Sequence, residues 1–274
     1  MNMTRWLNHF RENRTDRPEP DWSAPISLST ETVRTLVPSL EQFELGDGGG
    51  PAYLIAWNRE KFLARPSVRQ LVDLWFKEEK EHSRLLGDAV RRFGGRKIDG
   101  HWSFSVFCMV RKYLGVAFEL RALLLTEIVS NVYYHMLRRH ADDAALRTMC
   151  DLVIRDETSH IAFHRDRLAD ATSRRYAGCW TTLFRMMGLA AGTMLWINHS
   201  PALKSLGATS SEFYGGIWTA MSRFVRQLRR DRQERSAHQD SAAQHLAQQE
   251  LPELTDSRAY AGKIATTFPL EDLR

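Results

Sequence analysis

Apolar residues recur along this chain at helical intervals, with no strand-like alternation competing with them. After a plausible helix start at Ser29, Thr30 and Glu31, the positions Val33, Leu36, Val37, Leu40 and Phe43 follow helical spacing, with Pro38 expected to kink or restart the helix. The run Gly46-Asp47-Gly48-Gly49-Gly50-Pro51 interrupts it, and Pro51 is suited to open a further helical stretch over 52–63. Pro66 opens a second helix whose stripe of Val68, Val72, Trp75, Glu79, His82, Leu86, Ala89 and Phe93 ends at Gly94-Gly95. A third helix is expected over about 113–139. A fourth, starting near Asp142 and Asp143, carries Met149, Val153, Glu157, His160, His164 and Leu168 on one face. Two more helices are expected over about 174–198 and 210–230. The predicted class is all-α: an irregular N-terminal arm over 1–27, a helical domain over 28–230, and a polar tail over 231–274 in which Phe268-Pro269-Leu270 could dock back.

Two of the apolar stripes contain charged residues. Glu79 with His82, and Glu157 with His160, stand three residues apart, so each pair shares a helix face and could hold one metal ion. With 17 Glu and 10 His in 274 residues, chance alone supplies about 0.6 such pairs. A single copy would mean little. Here both copies also carry an acid just before the Glu, in Glu78-Glu79-Lys80-Glu81-His82 and in Asp156-Glu157-Thr158-Ser159-His160, and both lie in the apolar stripe of a long helix. The chain thus has an approximate twofold likeness, helix pair one-two against pair three-four.

Over about residues 28–170 these motifs resemble the ferritin-like di-iron carboxylate superfamily: soluble acyl-carrier-protein desaturases, arylamine N-oxygenases and rubrerythrins. The resemblance implies a ferritin-like four-helix bundle in which two helices give Glu-x-x-His and the other two give one carboxylate each. The implied metal ligands are Glu79, His82, Glu157 and His160, with Glu127 from the third helix and either Asp47 or Glu44 from the first. Glu127 is favoured over Glu119 because it lies about thirty residues before Glu157 across the turn near Ala141, at the same depth. Asp47 is nearest the level of Glu79, Glu44 has the longer side chain, and an Asp at this place resembles the ribonucleotide reductase small subunits; the choice stays open. Glu127 and Glu157 are the candidate catalytic carboxylates. Asp156 and Glu78 are cofactor-supporting candidates, Asp156 accepting the ring N–H of His82 and Glu78 that of His160. His164, one turn past His160, is either an extra ligand or a hydrogen-bonded core histidine. Tyr133 and Tyr134 are expected in the core.

Carboxylates and imidazoles without thiolates suit two Fe ions, or an Fe/Mn pair, rather than structural zinc. The expected activity is a non-haem di-iron oxidase or oxygenase using O₂, with an external electron donor and a small-molecule or carrier-protein-bound substrate. The rivals are a ferroxidase or peroxide-reducing protein, and a non-enzymatic helical interaction protein. A Cys-x-x-Cys rubredoxin-like module is missing, which counts against the rubrerythrin version.

Composition adds boundaries. Net charge is +5, too mild a basic excess to imply nucleic acid, although the stretch from Arg223 to Arg235 holds six Arg against two acids and could meet an acidic carrier. Three cysteines, Cys108, Cys150 and Cys179, suggest neither a disulfide framework nor a thiolate site. The first residues lack a signal-like apolar run, and the longest apolar stretch, 186–197, is too short for a bilayer. A soluble cytoplasmic protein is expected, with no membrane partner and homodimer formation left open.

Overall fold

The computed structural model describes residues 1–15, 17–48, 53–170 and 177–264, the side chains of 177–179 and 242–264 excepted. Within them the chain is helical, with α1 (Met3–Glu12), α2 (Thr30–Gly48), α3 (Arg59–Leu63), α4 (Pro66–Arg92), α5 (Trp102–Tyr113), α6 (Val116–His140), α7 (Ala144–Ala169), α8 (Ala177–Ser205) and α9 (Ser210–Ile264), and no strand among the described residues. Two compact units are formed, Met1–Gln227 and a second from Leu228 on, the latter holding the rest of α9. No helix among the described residues is long and apolar enough to cross a membrane.

The first unit is a helical bundle. α2 packs on α4, α6 on α7, and α4 on α7, while α8 lies against both α2 and α6. The stripes meet as their spacing requires: Leu36 and Leu40 of α2, Leu85, Leu86 and Ala89 of α4, Leu124 and Ile128 of α6, and Met149 and Val153 of α7 are all buried. Pro38 does not divide α2, which runs through it as one helix.

Several segments differ from the pattern-based reading. The arm is not irregular throughout: residues 3–12 form α1, whose Trp6 and Phe10, one turn apart, are buried against Phe163 of α7. Asn2 caps it, its side-chain oxygen accepting from Arg5 N at 3.0 Å. The expected helix over 52–63 is reduced to α3; residues 53–58 are irregular, and Pro51 and Ala52 lie outside the described residues. A buried acid accounts for the irregular stretch. Glu119 accepts from the backbone N–H of Ile55 (2.7 Å) and Ala56 (3.0 Å), and Arg111 pairs with Glu119 while donating to the Tyr53 carbonyl at 2.6 Å. Those amides find their partners without a helix.

α5 was not foreseen, and the third long helix begins at Val116 instead of 113. Gly115, at φ 81°, makes the break between α5 and α6 that residues with a Cβ rarely adopt. The expected 210–230 helix extends to Ile264, through the first part of the predicted polar tail. Phe268-Pro269-Leu270, Arg174 and the Cys179 side chain lie outside the described residues.

Asp143 ties two ends of the bundle together. Its carboxylate caps α7 by accepting from Leu146 N at 3.0 Å and receives Arg92 of α4 at 2.9 Å, both side chains being buried. Arg92 also reaches the carbonyls of Trp22 and Ala24. Replacing Asp143 by Ala removes the cap and strands a buried guanidinium, with an expected loss of about 3 kcal/mol in urea unfolding. Asp143→Asn retains an oxygen for the cap and should lose about 1 kcal/mol less. Equal stability of all three proteins would show that neither interaction matters.

Candidate metal centre

Four helices deliver acids and imidazoles to one place inside the first unit. α4 contributes Glu79 and His82, α7 contributes Glu157 and His160, α6 contributes Glu127, and α2 contributes Asp47 from its last turn. Asp47, Glu79 and His82 form one group, and Glu79, Glu157 and His160 a second; within each group one potential ligand atom per residue lies within 4.8 Å of the others. Either group could hold a metal ion. Glu127 joins the second group, with Oε1 4.0 Å from His160 Nδ1.

The close approach of α2 to α4 is made by Gly48: a Cβ there would fall 1.8 Å from Ser83 Oγ, next to His82. Of the two first-helix candidates, Asp47 stands at the cluster. Glu44 is directed elsewhere, its Oε1 accepting from Ser83 Oγ at 3.1 Å and Lys97 Nζ at 2.5 Å. Glu119 is taken up by Arg111 and the Ile55 and Ala56 amides, away from the cluster.

The imidazoles are held by crossed carboxylates. His82 Nε2 lies 3.1 Å from Asp156 Oδ2, and His160 Nε2 lies 2.9 Å from Glu78 Oε2. A carboxylate can only accept, so each Nε2 carries the proton and, in the neutral ring, the lone pair is on Nδ1. Those Nδ1 atoms face inward. His82 Nδ1 is 3.6 Å from Glu79 and 3.8 Å from Glu157; His160 Nδ1 is 3.1 Å from Glu79 and 3.9 Å from Glu157.

Neither Nδ1 has a partner in hydrogen-bonding geometry, and neither do both carboxylate oxygens of Glu127 or Glu157 Oε2. Buried polar atoms are nearly always satisfied, so unpartnered imidazole nitrogens and carboxylate oxygens gathered beside these two groups are what a cation could fill. The donor set fits two divalent ions: four carboxylates (Asp47, Glu79, Glu127, Glu157) balance their charge, and carboxylate oxygen with imidazole nitrogen suits iron or manganese.

Without an ion the charges are balanced by protons. Burial pushes the carboxyls of Asp47, Glu127 and Glu157 well above their ordinary range, and the neighbouring Glu79 charge adds to it. For Glu79 burial acts in the same sense, but the charges and close approach of His160 and His82 outweigh it and hold the carboxyl low. Burial alone would lower both imidazoles; carboxylate contacts, led by Asp156 for His82 and by Glu79 for His160, raise them instead.

His164 takes a different part. Its Nδ1 accepts from Arg167 at 3.2 Å, so its proton is on Nε2, 3.4 Å from Glu127 Oε2. With Nδ1 occupied by Arg167 and the proton on Nε2, it offers no lone pair as an extra ligand. Tyr133 and Tyr134 are buried, as expected; Tyr133 bonds Ser39, while the Tyr134 hydroxyl has no partner.

Two site residues escaped the sequence because the arm shows no helical periodicity. Asn13, the C-cap of α1, donates from one amide nitrogen to Glu78 Oε1 (2.9 Å) and Asp156 Oδ1 (2.8 Å), joining the two acids that hold the imidazoles. Arg17 pairs with Asp156 at 2.7 Å. These contacts, with His82, overcome the effect of burial and keep Asp156 far below the usual carboxylate range.

The cluster opens onto a cavity of about 600 Å³, to which Asp47, Glu79, Glu127 and Glu157 all contribute. Its remaining walls are mainly apolar and come from α5 (Phe104, Phe107, Val110) and α8 (Met187, Leu195), together with Phe43 of α2.

Two measurements test the site. Asn13→Ala withdraws a hydrogen bond from both supporting acids, and Asp156→Asn removes the charge facing His82. Each should weaken Fe(II) or Mn(II) binding by roughly ten- to a hundredfold in competition with a chelator dye; unchanged affinity in both would detach these residues from the site. The second measurement follows protons. Groups with raised pKa hold protons at neutral pH when no ion is bound, so ion binding must expel them, and affinity should fall as pH falls. Adding Mn(II) to the metal-free protein at pH 7 should release roughly two protons or more per chain in weak buffer. Ordinary carboxyls and imidazoles would release only about half a proton.

No family model, no curated protein and no solved structure matches this chain, so the reading of the centre rests on its own residues.

Proposed function

We propose that the chain is an O₂-dependent di-metal oxidase or oxygenase of ferritin-like architecture, acting on an organic substrate. The observation that carries this reading is the pair of imidazoles whose Nε2 atoms are fixed by Asp156 and Glu78, while their unpartnered Nδ1 atoms converge on buried carboxylates beside an apolar cavity. Asp47, Glu79 and His82 would hold one ion and Glu79, Glu157 and His160 the other, with Glu127 completing the set. Two iron ions, or iron with manganese, would supply the electrons for O₂ activation.

The chain's own residues set the conditions. Crossed hydrogen bonds fix the imidazole tautomers and aim their lone pairs, so little reorganisation is needed on ion binding. Glu127 and Glu157 have unpartnered oxygens, which leaves them free to change position or hold a proton, and His164 Nε2–H faces Glu127. Trp75 donates its indole N–H to Glu79 Oε1 at 3.0 Å and limits the movement of that acid. The apolar walls of α5 and α8 would limit contact between the reacting face and water.

A ferroxidase acting on iron alone is the second reading. The cavity favours the organic substrate, because hydrated iron gains nothing from walls of Phe, Val, Met and Leu. For a non-enzymatic helical protein, the converging unpartnered acids and imidazoles would be an uncompensated cost.

The test is O₂ uptake by the iron-loaded, chemically reduced protein. Uptake should exceed that of free iron at equal concentration, and His82→Ala, His160→Ala and Glu127→Ala should each lower it at least about tenfold, the lower end of what loss of a positioned active-site group costs. Purified protein that binds no iron or manganese above trace, or uptake indifferent to all three substitutions, would overturn the proposal.

A further inference from the structure

The cavity has a polar end that the metal centre does not use. Ser39, Gln42, Phe43, Gly46 and Asp47 recur at three- and four-residue intervals on α2, so they share a face, and all but Ser39 line the cavity. Gln42 precedes Asp47 by five residues, about 7.5 Å along the helix axis. Its Oε1 is buried and has no hydrogen-bond partner.

On the facing helix, α8, His199 and Asn198 line the same cavity. His199 is placed by contacts on three sides: its Nδ1 is 2.8 Å from Ser39 Oγ, which in turn bonds the Tyr133 hydroxyl, and its ring packs on Phe43 at 4.7 Å and Tyr133 at 5.5 Å. Its Nε2 has no hydrogen-bond partner among the described residues. Asn198 donates to the Met194 carbonyl, which leaves its side-chain oxygen available.

No lysine or arginine at this end is free to receive an anion, and the imidazole of His101, which also lines the cavity, is engaged through Nδ1 with Ser103 Oγ at 2.7 Å. Arg111 is the one Lys or Arg among the lining residues, and it is already paired with Glu119 and bonded to the Tyr53 carbonyl. Burial and the nearby His101 push the His199 imidazole down to about 3, so it is neutral near neutral pH. A carboxylate or phosphate brought here would lose its hydration without meeting a free lysine or arginine to replace it. A neutral hydroxyl or amide could donate to the unsatisfied amide oxygen of Gln42 or to that of Asn198, with the His199 imidazole nitrogen beside them.

We propose that the cavity is a binding site for an uncharged, largely apolar organic molecule whose hydrogen-bonding group is held by Gln42, Asn198 and His199. Its hydrocarbon part then extends along Phe43 and the α5 and α8 walls towards Asp47, Glu79, Glu127 and Glu157. A volume of about 600 Å³ lies within the range of sites that enclose a drug-sized molecule. The substrate class deepens the oxidase reading and relies on it for the reaction, but the binding itself requires no metal.

Three probes of the same shape and different charge test this by calorimetry on the full chain, metal-loaded and metal-free: 4-phenylbutan-1-ol, 4-phenylbutanoate and 4-phenylbutylammonium. In the metal-loaded protein the alcohol should bind at least tenfold more tightly than either ion. Gln42→Leu, which keeps the bulk and removes the amide, should reduce that preference to under threefold. Ala122→Trp, which fills the cavity from α6, should abolish binding in a protein whose helical circular dichroism is unchanged. Ala191→Trp does the same from α8 and serves if the first variant fails to fold. Absence of alcohol binding, equal or tighter binding of a charged probe, or binding indifferent to Gln42→Leu and to both cavity-filling changes would overturn the inference. A protein that takes up no metal yet shows the alcohol preference would remove the oxidase reading and leave this site standing; a metal-loaded protein with no preference would do the reverse.

Discussion

Like charges enclosed together repel one another and lose their hydration, and this constraint governs the first unit. Six carboxylates (Asp47, Glu78, Glu79, Glu127, Asp156, Glu157) and three imidazoles (His82, His160, His164) share the space between α2, α4, α6 and α7. An uncompensated charge in such a place costs several kcal/mol. The surrounding structure answers it from outside: Asn13 and Arg17 reach in from the arm, Arg167 orients His164, and Lys97 neutralises Glu44 one turn away. At the centre only protons or cations can serve, because no Lys or Arg of the described residues contacts the inward oxygens of Glu127 or Glu157. The peripheral compensation and its central absence separate acids that support from acids that bind.

What was legible in the sequence was what long helices encode by themselves. The stripes through Glu79 and His82, and through Glu157 and His160, share faces because of helical geometry, and the acids at 78 and 156 point to the opposite helix because one residue turns the direction by about 100°. The choice of Glu127 also followed from depth along helices. Less was legible where structure depends on contacts distant in sequence. α1 is only ten residues long and owes its burial to Phe163, so neither its helix nor the reach of Asn13 could be inferred from local pattern. The choice between Asp47 and Glu44 was hidden by the glycine run, since only the fit of Gly48 against Ser83 shows how far α2 continues.

α5 was obscured for a different reason. Its inner residues Phe107 and Val110 line the cavity while Trp102, Met109 and Tyr113 are exposed, so both faces are apolar and no stripe stands out. The bundle helices carry the groups that could hold an ion, whereas α5 and α8 contribute most of the apolar wall. Changes in those walls would alter which molecule the cavity fits without disturbing the acids and imidazoles beneath.

The crossed contacts between α4 and α7 have a mechanical consequence. Residue 82 meets 156 and residue 78 meets 160, so the two links are one helical turn apart on antiparallel helices and related by a local twofold. Sliding one helix by a single residue displaces it by about 1.5 Å and stretches both links at once. Together they act as a cross-brace that fixes the register of α4 on α7 through bonds in which no ion takes part. The candidate ligand atoms are thereby held at their spacing by the polypeptide, and the alignment of the two helices does not depend on an ion.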